Sequence, residues 1–193
     1  MGDAKERPIL FSAPMVRAIL DGRKTVTRRA CKPQPSANAH TTSAEGCPMG
    51  AWWETGKHLN RCPFGQIGDR LYVRETFNRT NPGGAEGVYY YRADGEFPKS
   101  IGGGKFTDAE SWKPSIHMPR AASRILLEIT DVRVERLQDI SREQCIAEGP
   151  DFPVADHLAR AWHVQFERLW NSTGGDWAAN PWVWAVEFKR LTP

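Results

Sequence analysis

The sequence has no apolar run near the roughly 20 residues that a membrane-spanning helix needs. Its N-terminus lacks the apolar core of a secretory signal, so a cytoplasmic chain is expected. Cysteine is sparse: Cys31, Cys47, Cys62 and Cys145 are four residues in 193, irregularly spaced and with no Cys-x-x-Cys pair. Cys31, Cys47, His58 and Cys62 would in principle offer zinc three sulfurs and a nitrogen, but the spacing fits none of the usual patterns. Reduced thiols, no metal and no other cofactor are therefore expected. Charge of one sign is not in great excess, at +3. That balance permits a nucleic-acid partner without requiring one. Gly102-Gly103-Gly104 has no helix signal after it, which excludes a phosphate cradle of the usual kind.

What is present is enough apolar material for a core, 40% hydrophobic residues including eight tryptophans. The length suits one domain, 1–193, with loop insertions at about 30–60 and 95–113, where Pro, Gly, Ser and Ala replace periodic pattern. Ile9-Leu10-Phe11-Ser12 reads as a first strand. Residues 14–21 form a short amphipathic helix, opened by Pro14 and closed by Gly22.

The chain is organised around the next stretch, Gly22-Arg23-Lys24-Thr25-Val26-Thr27-Arg28-Arg29. Its β-branched residues favour a strand, which puts Lys24 at a helix-to-strand junction. Strand residues three apart face opposite ways, so Lys24 meets Thr27 only if the chain bends between them. An amine beside a hydroxyl is a base-and-nucleophile arrangement once the amine is neutral, and burial or neighbouring arginines favour the neutral form. The competing reading is a solvated basic hairpin that grips phosphates.

Further strands are expected at 70–77, 88–92, 124–129, 132–137 and 180–188. In the first of these, Glu75 alternates with Leu71, Val73 and Phe77. It therefore points with the apolar set and needs an arginine partner. His117 and Arg120 lie in a proline-bounded loop and are candidates for the wall of a site. Ser141, Gln144 and Gly149 fit the cap, third position and exit of a two-turn helix, with Glu148 at its C-terminal end. Residues 155–171 carry the period of an amphipathic helix.

Six or seven short strands with few helices indicate an α+β fold, a small curved sheet or barrel with peripheral helices. The motif at 22–29, Gly68-Asp69-Arg70-Leu71-Tyr72-Val73 and Ala147-Glu148-Gly149 resemble the ASCH domain, a PUA-like β-barrel. The layout is similar to that of the longer phage and prophage members of that family. Val73-Arg74-Glu75-Thr76, Ser115-Ile116-His117-Met118-Pro119-Arg120 and Asn180-Pro181-Trp182-Val183-Trp184 carry the same likeness. The resemblance implies a metal-independent amidohydrolase acting on N4-acetylcytidine or a related N4-acylated nucleoside. Thr27 would be the nucleophile, Lys24 the base and Glu148 the acid, with Glu143 as competitor for the last role. Arg29, Arg74, Glu75, His117 and Arg120 would bind substrate, and whether Glu75 or Glu148 faces Lys24 is left open. The alternative is an RNA-binding module or ribonuclease, with RNA as partner in place of a small nucleoside.

Overall fold

The computed structural model describes residues 4–41, 50–56, 59–80, 87–96, 100–101, 104–105, 112–150 and 161–191. In chain order the elements are β1 (Glu6–Leu10), α1 (Ala13–Leu20), β2 (Val26–Ala30), β3 (Ala51–Trp52), β4 (Asn60–Arg61) and β5 (Arg70–Arg74). They continue with β6 (Phe77–Thr80), β7 (Val88–Tyr91), β8 (Ser100–Ile101), β9 (Gly104–Lys105) and β10 (Leu126–Arg136). Then come α2 (Arg142–Ala147), α3 (Ala161–Ser172) and β11 (Trp182–Leu191). The fold is α+β. Its centre is a five-stranded sheet of order β1-β5-β10-β11-β2, parallel between β1 and β5 and antiparallel elsewhere.

The expected strands at 124–129 and 132–137 are one strand, β10. Thr130-Asp131 resembles a turn in sequence, but here it carries a register shift against β11 between Ile129 and Asp131. The extra residue keeps the apolar residues inward: Leu127 and Ile129 are buried before the shift, Val132 and Val134 after it. Without the bulge, strict alternation would turn Asp131 and Arg133 into the core. Conversely, the single strand expected at 70–77 is two, β5 and β6, interrupted at Glu75 and Thr76.

The main core covers one side of the sheet with Ile9, Leu71, Val73, Leu127, Ile129, Val132, Trp184, Val186 and Phe188, joined by Val16 and Ile19 of α1. A second core lies on the other side, where α2 and α3 cover the sheet with Cys145, Phe166 and Trp170 against Val183. The helix expected over 155–171 runs from Ala161 to Ser172, and its expected first turns lie outside the described residues.

In the backbone ladder the sheet has two ends, β1 and β2. A side chain joins them: Arg29 Nη2 on β2 donates to the Leu10 carbonyl at the end of β1, 3.0 Å away. At that end the two outer strands come within reach of one side chain. Among the described residues no helix is long and apolar enough to cross a membrane.

Candidate active site

β2 is an edge strand, and that position builds the site. Residues opposite each other in an antiparallel pair share a face. Thr27 and Arg29 lie opposite Val186 and Trp184, on the side of the main core; Arg28 lies opposite Ala185, on the side covered by α2 and α3. The two sets meet around the free edge of the strand. An unpaired edge leaves carbonyls needing donors. Lys24 Nζ donates to the Val26 carbonyl at 2.7 Å and Arg29 Nη1 to the Arg28 carbonyl at 3.0 Å. The chain's own cations cap its open edge.

Lys24 stands at the junction between α1 and β2, as its sequence context predicts. Its amide donates to the Ala18 carbonyl, and Thr25 N donates to the Ala147 carbonyl, tying the junction to α2. The carboxylate comes from α2. There Ser141 and Gln144 form the reciprocal capping box, and Glu148 is the C-cap residue, 3% exposed. Gly149 then turns the chain away with φ +79°. The choice between Glu75 and Glu148 is decided by contact: Lys24 Nζ lies 2.7 Å from Glu148 Oε2. Glu143, the other candidate on this helix, has an exposed side chain.

Around this pair the charges interlock. Arg28 donates through Nη1 to Glu148 Oε1 at 3.2 Å, and through Nε and Nη2 to Glu135 Oε1 at 3.0 and 2.5 Å. Its Nη2 also reaches Gln144 Oε1 at 2.9 Å, so the capping glutamine serves the site as well. The sequence reading gives Glu135 no site role and Gln144 only its capping role, and it reads Arg28 as one of the arginines beside Lys24 or as part of a phosphate-gripping hairpin. The available signal is strand alternation, which sets Arg28 on the face opposite Thr27. The partners lie 107, 116 and 120 residues away, beyond any local pattern.

The expected contact between Lys24 and Thr27 is not made. Lys24 commits its three N–H groups to Val26 O, Glu148 O and Glu148 Oε2 at 2.7, 2.9 and 2.7 Å. Thr27 Oγ1 instead accepts from Arg29 Nη1 at 2.9 Å. Neither side chain stands in bulk water, since Lys24 is 3% exposed and Thr27 0%. Burial pushes the Lys24 amine below its ordinary value, with Arg29 and Arg28 acting the same way and the Glu148 charge opposing. Burial also lowers Arg29, again against Glu148.

Lys24, Thr27, Arg28, Arg29 and Glu148 line one cavity of about 660 Å³. The rest of its wall is largely apolar and aromatic, with Phe11, Phe166, Leu169, Trp170 and Trp184. The volume lies within the roughly 300–1,000 Å³ of small-molecule sites. The helical period of α3 marks its residues in that wall only as core.

Arg74, Glu75, His117 and Arg120 are not brought to this cavity. Glu75 is buried and fixed by Arg124, at 3.0 Å from Nε and 3.2 Å from Nη2; burial raises its carboxyl pKa while the guanidinium opposes. It has the arginine partner that its alternation demands, and its role there is an interior ion pair. Arg74 Nη2 donates to the Ile116 carbonyl, and His117 is exposed on a 3-10 turn. Arg120 pairs with Glu6 at 2.8 Å and lies over the Tyr72 ring. Of the weighed zinc ligands, Cys47 and His58 lie outside the described residues. Cys31 and Cys62 are free thiols in the main core, pushed by burial to about 12 and about 11. No group of three or more metal-ligating side chains occurs among the described residues.

No family model matches the sequence, and no curated protein does. A solved structure described as an ASCH domain from Lactobacillus crispatus JV V101 is similar over 96% of this chain and 79% of that one. The identity is 12% and the TM-score 0.41. A likeness of that degree decides neither family nor activity, and the functional reading rests on the site itself.

Proposed function

We propose that the protein is an ASCH-type amidohydrolase that removes the acyl group from N4-acetylcytidine or a related N4-acylated cytosine nucleoside. The observation that carries this reading is the buried Lys24–Glu148 pair beside Thr27 and Arg29 in one cavity. Four groups able to move a proton, attack a carbonyl and hold an oxyanion share a water-poor site.

Arg29 already donates to Thr27 Oγ1, and a guanidinium there stabilises negative charge on that oxygen. The hydroxyl keeps its own hydrogen for a base. Lys24 takes that proton after passing one of its own to Glu148 across their 2.7 Å hydrogen bond. Thr27 must turn from its resting position to present its hydroxyl to the amine. Catalytic hydrogen bonds commonly tighten only when substrate is bound. Attack of Oγ1 on the acyl carbon forms a C–O bond and places charge on the carbonyl oxygen, within reach of Arg29. Collapse breaks the C–N bond as the proton from the Lys24–Glu148 pair goes to the departing cytosine nitrogen. Water then cleaves the threonine ester, releasing the carboxylic acid and restoring the hydroxyl.

The RNA reading fits the geometry less well. Lys24 and Arg28, two of the cations it assigns to phosphates, are interior at 3% and 2% exposure. Tyr72, an aromatic ring on which a base could stack, carries Arg120 over it at 5.2 Å. Incubating the purified chain with N4-acetylcytidine and following the ultraviolet change to cytidine tests the proposal. Turnover that Lys24→Ala and Thr27→Val abolish is expected. No turnover at micromolar enzyme, or full turnover by either variant, overturns it.

A further inference from the structure

Arg29 feels the charge of Glu148 but makes no hydrogen bond to a carboxylate among the described residues. Among the described residues Lys24 and Arg28 are each ion-paired with carboxylates, whereas all three hydrogen bonds from Arg29 go to neutral oxygens of Thr27, Arg28 and Leu10. A guanidinium has five N–H donors, so two are uncommitted. Nε makes none of these bonds and is not among the buried atoms that lack a partner, so its hydrogen is accessible, and Arg29 lines the cavity.

We infer that Arg29 is the floor of a carboxylate subsite, in which a small monocarboxylate binds beside Thr27. A partly buried cation with uncommitted donors in a sheltered space gains more from an anion than one in water does. The planar fork of a guanidinium matches a carboxylate in two parallel hydrogen bonds. Arg29 also holds Thr27 Oγ1 at 2.9 Å through Nη1, so an anion on its remaining Nε and Nη2 hydrogens shares the guanidinium with the nucleophile. On the proposed reaction, from which this inference takes its ligand, that is where the released acid forms. The product carboxylate then rests on Arg29 before leaving and competes with the next substrate.

Calorimetry of the full chain against acetate, inorganic phosphate and chloride tests this without requiring turnover. Acetate is expected to bind wild type saturably, and more tightly than phosphate or chloride. Arg29→Gln should weaken acetate by about tenfold or more, as loss of hydrogen bonds to a charged group does. Arg29 also joins the sheet edges, so circular dichroism must show that Arg29→Gln is folded. If it is not, Arg29→Lys decides, because it keeps the charge and loses the fork, and acetate should weaken while phosphate does not. Overturning results are no saturable acetate binding to wild type, phosphate binding as tight as acetate, or acetate affinity unchanged in the folded variant. Acetate binding without amide turnover would remove the proposed reaction and leave the anion subsite. Turnover without acetate binding would remove this inference alone.

Discussion

Lys24 and Glu148 are joined twice. The same Nζ reaches the side-chain Oε2 at 2.7 Å and the backbone carbonyl at 2.9 Å, so one amine fixes both the carboxylate and the turn that carries it. Glu148 is shared, since its other oxygen takes Arg28 at 3.2 Å.

That sharing predicts an asymmetry between the two deletions. Removing one partner of a buried pair is costly because it strands the other, typically about 3–5 kcal/mol. Glu148→Leu strands Lys24 and loosens Arg28, which keeps Glu135. Lys24→Met leaves Glu148 in the hands of Arg28 and costs mainly the two carbonyls it served. Urea unfolding should therefore find Glu148→Leu the more destabilised, by about 1–2 kcal/mol. Equal losses, or the reverse order, would contradict the shared-carboxylate geometry.

The second prediction concerns pH. The Lys24 amine is held below its ordinary 10.5 by burial, with Glu148 opposing. Between the lowered native value and that of the unfolded chain, the unfolded state binds more protons, so unfolding free energy rises with pH. The limiting slope is about 1.4 kcal/mol per unit. Below the native value both states are protonated and the burial penalty is fully present. Lys24→Met should lack this alkaline rise in denaturation series taken up to pH 10.5. On the proposed mechanism, the kcat/KM of the wild type should climb over the same interval, below the ordinary lysine range.

How much of this was legible in the sequence follows from the range of each interaction. The capping box of α2 is local, and Ser141 with Gln144 declares it three residues apart. Lys24 at its junction was equally readable, because α1 ends at Leu20 and the β-branched run begins soon after. Glu75 announced its need for an arginine by sitting in an apolar alternation, yet nothing in that pattern names Arg124. Arg28 was harder. Alternation sets it opposite Thr27, but only the covering layer of α2 and α3 makes that face interior. Its partners come from β10 and α2, which meet β2 only in the folded chain. The contact between Thr27 and Arg29 was hidden for a different reason: two residues on one strand face lean together here, while Lys24 had closer oxygens to serve.

A third prediction isolates Gly149. Its φ is +79°, which side chains rarely adopt, and a Cβ there would stand 2.7 Å from Lys24 Cβ and 2.8 Å from Ala18 Cβ. Gly22 has a similar φ of +74°, but a methyl group added to it would meet nothing within 4 Å. Gly22→Ala should cost about 1 kcal/mol, the conformational penalty alone. Gly149→Ala adds overpacking of about 1–3 kcal/mol. It also displaces Lys24, so activity should fall only in the second variant. Matched urea titrations and initial rates check both halves.

The last prediction separates the two duties of Gln144. Its side-chain oxygen accepts from the Ser141 amide at 3.0 Å and from Arg28 Nη2 at 2.9 Å, while its own amide donates to Ser141 Oγ at 3.3 Å. Ser141→Ala removes only the hydroxyl half of the cap, and about 1 kcal/mol of stability should go with it. Gln144→Ala removes the other half and an Arg28 acceptor together. Arg28 then swings on Glu135 alone at that end, and its grip on Glu148 loosens. Stability should fall by a similar amount in both variants, but kcat should drop only in Gln144→Ala. Gln144→Glu supplies the missing control, because a carboxylate at that position keeps an acceptor for both Arg28 and the Ser141 amide. If it restores rate as well as stability, Gln144 acts through the guanidinium. If rate stays low while stability returns, a carboxylate there draws Arg28 away from Glu148, and the neutrality of the glutamine is itself part of how the site is held.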